Sequence, residues 1–151
     1  MTSSDKAIQK MLEWRKCWPK FARDVLHARM DNEQEEIIYA VQTNPLVAVS
    51  SGTSRGKDWL SAVCAICFMY LTPRFDRDGV MTKNTKVFMT GPSQRQVDQI
   101  MMPEVARLWN KAKFLPGRMT ASGIKTDNRE WFLSGFKASD DNMEAWSGLH
   151  A

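Results

Sequence analysis

The 151-residue chain has no apolar run long enough to cross a membrane, only two histidines and only three cysteines. The first absence excludes a membrane-spanning helix, and the polar opening Met1–Lys10 carries no secretory signal. Three cysteines cannot all pair with one another, and so sparse a set suits a reducing cytosol rather than a disulfide-stapled fold. Cys64 and Cys67 form a C-x-x-C, but no second Cys or His pair stands at a spacing that would complete a zinc site. They fall three apart in the apolar stretch Trp59–Leu71 and read as core thiols. Internal repeats, low-complexity segments and obvious linkers are also missing.

What is present describes an ordinary globular domain: 43% hydrophobic residues, 25% charged and a net charge of +4. The length allows one domain with a real core. Many of the cations fall early (Lys6, Lys10, Arg15, Lys16, Lys20, Arg23, Arg29), interleaved with Asp5, Glu13 and Asp24. A solvated helical face accounts for them more simply than nucleic-acid contact does.

Two parts can be read along the chain. Residues 1–43 form a helical N-terminal segment, with Met11, Trp14, Trp18 and Phe21 at helical spacing, a break at Pro19, and a second helix opening at an Asp31-Asn32 cap. Residues 44–151 form an α/β domain. Asn44-Pro45 launches a strand over Leu46–Ser50. A helix over Lys57–Leu71, apolar nearly all round and stopped by Thr72-Pro73, is expected to lie buried against a sheet. Arg74–Asn84 reads as a charged loop and Lys86–Thr90 as a second strand. A long amphipathic helix over Gln94–Lys113 should be kinked by Pro103. Strands over Met119–Lys125 and Glu130–Leu133 follow, then a polar loop. Strand-helix-strand order predicts right-handed crossovers and a parallel sheet covered on both faces.

The chemistry gathers between the first strand and its helix. Ser51-Gly52-Thr53-Ser54-Arg55-Gly56-Lys57-Asp58 is a small-residue loop closed by Gly-Lys, the layout of a phosphate-binding loop. In such a loop, backbone N–H groups and a helix N-terminus face an anion. Lys57 would reach the β- and γ-phosphates, while Gly52 and Gly56 let the backbone approach closely. Ser51, Thr53 and Ser54 offer hydroxyls and amides, and Arg55 could stabilise charge on a transferred phosphoryl group or simply face solvent. Ser51 stands where the usual pattern has a glycine. Asp58 stands where a hydroxyl would ligate Mg2+; its carboxylate could hold the metal itself, making nucleotide affinity unusually dependent on magnesium. Gln34 could hydrogen-bond adenine, although a plain polar position on a helix surface suits it better.

Several segments taken in order resemble the large subunit of phage terminases, the ATP-driven DNA-packaging motors. The loop Ser50–Asp58 follows a Gln-bearing helix and a short strand. Thr90-Gly91-Pro92-Ser93-Gln94-Arg95-Gln96-Val97 is similar to the family's strand ending in Thr-Ala-Pro-Thr before an Arg-Gln-Val helix start. Met102-Pro103-Glu104-Val105, Trp131–Lys137 and Trp146-Ser147-Gly148-Leu149-His150-Ala151 extend the likeness, which covers roughly Asn32 to Ala151. The resemblance implies an incomplete ASCE-type P-loop NTPase, with a parallel sheet flanked by helices. Its Walker A site would be Ser51–Asp58, its ligands ATP and Mg2+, and Gln34 a loose match to the adenine-binding glutamine. It further implies double-stranded phage DNA, other terminase subunits and a portal as partners, no membrane, and the cytoplasm of the bacterial host. In the family the Gly-Phe-His-Ala segment leads into the strand with the Walker B acidic pair, whereas this sequence stops at Ala151. Asp140, Asp141 and Glu144 are poor substitutes for that pair, so the chain is expected to bind nucleotide and hydrolyse it poorly. A sheet edge and apolar helix faces left open would favour self-association. The alternatives are a non-enzymatic DNA-binding or adaptor remnant and another kind of P-loop protein.

Overall fold

A computed structural model describes residues 2–50 and 56–138 of the chain. Helix α1 (Ser3–Lys16) starts at a reciprocal cap between Thr2 and Asp5. It ends at Cys17, whose extended backbone turns the chain into α2 (Trp18–Asp24), with Pro19 in its first turn. The break expected at Pro19 therefore falls two residues earlier, at Cys17, leaving Trp14 on the first helix and Trp18 and Phe21 on the second. Trp14, Trp18 and Phe21 are buried, while Met11 remains exposed. The Trp14 indole donates to Asp24 Oδ2 at 3.0 Å, and this bond, more than the nearby Lys20 and Lys10, holds the Asp24 carboxyl below its usual range. Helix α3 (Asn32–Thr43) opens at the expected Asp31 cap.

Helix α4 (Lys57–Leu71) spans the residues its composition predicts. It contacts α2 and α3 on one side and the sheet and later helices on the other. This two-sided burial is why its surface is apolar nearly all round, with Ala62, Val63, Ile66, Cys67 and Met69 fully buried.

The expected charged loop after α4 contains a two-stranded antiparallel ribbon, β1 (Arg74–Phe75) and β2 (Met81–Lys83). Asp76 builds its turn, accepting from the N–H groups of Asp78 and Val80, and Gly79 takes the positive φ of +79°. Strand β3 (Thr85–Gly91) then enters the main sheet. The long helix expected after it is divided into α5 (Gln94–Gln96), a π-helical turn (Val97–Met101) and α6 (Met102–Lys111). The wide turn closes with Met102 N–H on the Val97 carbonyl, immediately before Pro103, which has no N–H to continue an α-helical ladder.

Met119–Lys125, expected as one strand, is a hairpin of β4 (Arg118–Thr120) and β5 (Gly123–Lys125). Strand β6 (Trp131–Lys137) completes a four-stranded sheet in the order β3-β6-β5-β4. Only β3 and β6 are parallel among these pairs; the hairpin adds antiparallel edges, so the sheet is mixed rather than parallel. The helices lie close on one face. A Cβ on Gly135 would come within 2.7 Å of Met102 Cε, so the absence of a side chain there sets the spacing of the π-turn and α6 from the sheet.

The predicted strand Leu46–Ser50 pairs with no other strand among the described residues. Leu46 is 89% exposed, while Val47 and Val49 line a hollow with Ile37, Val41, Leu60 and Cys64 beside α3 and α4. Apolar, β-branched composition favours an extended backbone, but only a neighbouring strand turns that into a ladder. The molecule is thus a mixed α/β protein with a small mixed sheet packed against helices. None of its described helices is long and apolar enough to cross a membrane.

Candidate functional site

The start of α4 is shaped by Gly56, which takes a left-handed conformation (φ +95°) that side-chain-bearing residues adopt only at a cost. Its carbonyl accepts from Leu60 N–H at 2.8 Å, closing the first helical turn. Lys57 and Asp58 follow as the first two helical residues, both half-buried. Among the described residues no side chain caps this helix. The acidic Asp58 in the first turn suits the positive end of the helix dipole.

Two contacts fix the direction of α4 relative to the sheet. Thr72 Oγ1 lies 2.7 Å from Thr85 Oγ1, joining the end of the helix to the beginning of β3. The Trp131 indole donates to the Met69 carbonyl at 2.7 Å, joining the same end to the beginning of β6. Nearer its start, Ser61, Cys64 and Ala65 of the helix line a hollow with Val87, Met89 and Thr90 of β3, so the helix runs back along the parallel strands, antiparallel to them. Fifteen helical residues span about 22 Å and seven strand residues about 23 Å, so the Gly56–Lys57 end lies towards the C-terminal ends of β3 and β6. In open α/β sheets, ligands bind outside the carboxyl ends of the parallel strands.

Gln34 is drawn to the same place from α3. Its Nε2 lies 3.5 Å from where a Cβ on Gly56 would stand. The side chain also serves the α3 cap, with Gln34 Oε1 accepting from Asp31 N–H at 3.1 Å and Gln34 N–H donating to Asp31 Oδ1 at 2.8 Å. The structure thus brings together Gln34, Gly56, Lys57 and Asp58. The remaining loop candidates, Ser51, Gly52, Thr53, Ser54 and Arg55, lie outside the described residues, as do Asp140, Asp141, Glu144 and Trp146–Ala151. At the end of β3, Ser93 caps α5 through its hydroxyl, which accepts from Gln96 N–H at 3.1 Å.

The C-x-x-C behaves as a pair of structural thiols. Cys67 is fully buried and Cys64 half-buried. Loss of solvation pushes Cys64 up to about 11 and Cys67 well above its ordinary value, so neither is a thiolate at neutral pH. Among the described residues no three His, Cys, Asp or Glu side chains cluster to hold a metal ion. A metal at the α4 terminus would therefore rest on Asp58 together with the phosphates of a ligand, an arrangement that suits Mg2+, which is commonly held by one or two carboxylates plus substrate oxygens.

One set of residues escaped the sequence reading: the row of Phe88, Phe132 and Phe136 on the sheet face opposite the helices. The available signal was the alternation within Lys86–Thr90 and Phe132–Phe136, which becomes visible once β3 and β6 are known to be paired. The chain matches no protein-family model, no curated protein and no solved structure. The functional reading therefore rests on the site.

Proposed function

We propose that the chain binds ATP with Mg2+ at the start of α4 and is the ATP-binding portion of a terminase-type motor that packages double-stranded phage DNA. The direction of α4 carries the reading: a Gly-Lys helix start lies at the C-terminal end of two parallel strands. In this account the backbone N–H groups of the first turn meet the phosphates, and Lys57 adds a mobile point charge at the terminal ones. Asp58 would hold the metal, and Gln34 would be within reach of a base. Mg2+ would screen phosphate charge from Asp58 and organise the terminal oxygens. By the resemblance, Arg55 and the rest of Ser51–Asp58 would complete the cradle. Other terminase subunits and a portal would be the partners in the host cytoplasm.

The test is titration of a fluorescent ATP analogue against the chain and its Lys57→Ala variant. Alanine is a strong helix former, and the circular dichroism of the variant checks that its fold is kept. Affinity should fall at least tenfold. Equal affinity of the two proteins would overturn the reading.

A further inference from the structure

The two faces of the four-stranded sheet are built for different surroundings. Met89, Ile124 and Leu133 are buried on the face that carries α4, the π-turn and α6. Strand register places Lys86 and Phe88 of β3, Phe132 and Phe136 of β6, Lys125 of β5 and Arg118 of β4 on the opposite face. Phe88 stands edge-on to both neighbours, with ring centroids 5.6 Å from Phe132 and 6.0 Å from Phe136. Beside Phe132 opens a hollow of about 350 Å3 lined by three cations, Arg118, Lys125 and Arg129, together with the polar side chains of Thr120, Asn128 and Ser134.

This aromatic row is flanked by charge. Four cations (Lys86, Arg118, Lys125, Arg129) face two acids. Glu130 holds Lys86 at 2.9 Å, and the fully exposed Asp127 stands 3.9 Å from Arg118. Lys125 and Arg129 are exposed, with no ion pair among the described residues. Aromatic rings in the plane of a sheet with cations at its margin match bases that stack and phosphates that run alongside. A duplex keeps its bases stacked inside and offers no free ring face to half-buried phenylalanines.

We propose that this sheet face binds single-stranded nucleic acid, with bases stacking on Phe132 and Phe88 and phosphates meeting Lys125, Arg129 and Arg118. The site is separate from the start of α4, and Lys57→Ala leaves it intact.

The test is fluorescence anisotropy of a labelled oligodeoxythymidylate of about twelve nucleotides, titrated with the whole chain over a range of salt. The wild-type chain should bind saturably, and an unlabelled duplex of equal length should compete poorly. Arg118→Ala combined with Lys125→Ala, both exposed positions, should weaken binding and lower the salt slope by about 1.4. Phe132→Leu keeps the apolar volume but removes the ring, and should weaken binding about fivefold with the slope unchanged. Phe132→Tyr keeps the ring and should bind as wild type does. Absence of saturable binding, equal competition by duplex, or wild-type affinity in the paired cation variant would each overturn the proposal. If Phe132→Leu loses its circular dichroism, the tyrosine and paired cation variants decide the matter.

Discussion

At its C-terminal end α4 is tied into the protein by every residue of its last turn and those just beyond it, whereas at its N-terminal end no described side chain caps it. The Met69 carbonyl takes the Trp131 indole. The Tyr70 hydroxyl donates to the Pro116 carbonyl at 2.7 Å and accepts from the Trp109 indole at 3.0 Å. Thr72 caps Phe68 and touches Thr85. Arg15 and Arg74 donate to the Pro73 and Leu71 carbonyls, bringing two cations to the negative end of the helix dipole. The other end is Gly56 in a left-handed turn, with a lysine, an aspartate and the Gln34 amide around it. One end therefore anchors the helix, while at the other no described side chain caps the first turn.

Substitutions along α4 should separate these roles. The largest loss belongs to the middle: Ile66→Ala, at a fully buried position, should cost about 2–5 kcal/mol in a urea melt. Should the loss be small, the helix would not be the central layer described. Next comes the anchored end. Tyr70→Phe strands the Trp109 N–H and the Pro116 carbonyl and should cost about 1–3 kcal/mol. The same residue gives a pH signature. Burial pushes the Tyr70 hydroxyl up to about 12, partly opposed by the Trp109 bond. Its contribution is complete below the unfolded value of about 10 and fades as pH rises through the folded value. Wild type should thus lose stability between these limits, and Tyr70→Phe should lose less; identical alkaline melts would contradict this.

At the opposite end, Gly56→Ala has room for its Cβ but not a relaxed backbone. A loss of about 1–2 kcal/mol is expected, read by thermal melting with and without ATP analogue. The smallest stability change falls to Asp58→Asn, about 0.3–1 kcal/mol through the lost dipole contact. It should also reduce the dependence of nucleotide affinity on magnesium, and an unchanged ratio of affinities with and without the metal would remove Asp58 from the site.

Legibility in the sequence followed the range of the forces involved. Helix α4 could be read to its last residue because Gly56 and Thr72-Pro73 mark its ends locally and its composition reports burial on both sides. The Asp31 cap is equally local. Leu46–Ser50 has the composition of a strand, but pairing depends on a partner remote in sequence, and none was found among the described residues. The Arg74–Lys83 ribbon was hidden by its short strands, although Asp78-Gly79 marked its turn. At the candidate site, the Gly-Lys step was evident from spacing. The position of Gln34 beside Gly56 depends on how α3 packs against α4 and could not be read from either helix alone.

The π-turn before Pro103 has a consequence for angular register. Successive α-helical residues advance about 100° around the axis, so deleting one residue from Val97–Met101 would restore a regular ladder while swinging α6 by roughly that angle. Val105 and Leu108, both buried, would rotate out of the core and the charged side of α6 would rotate in. The single wide turn thus works as a phase corrector, keeping the residues before and after the proline aimed at the same sheet.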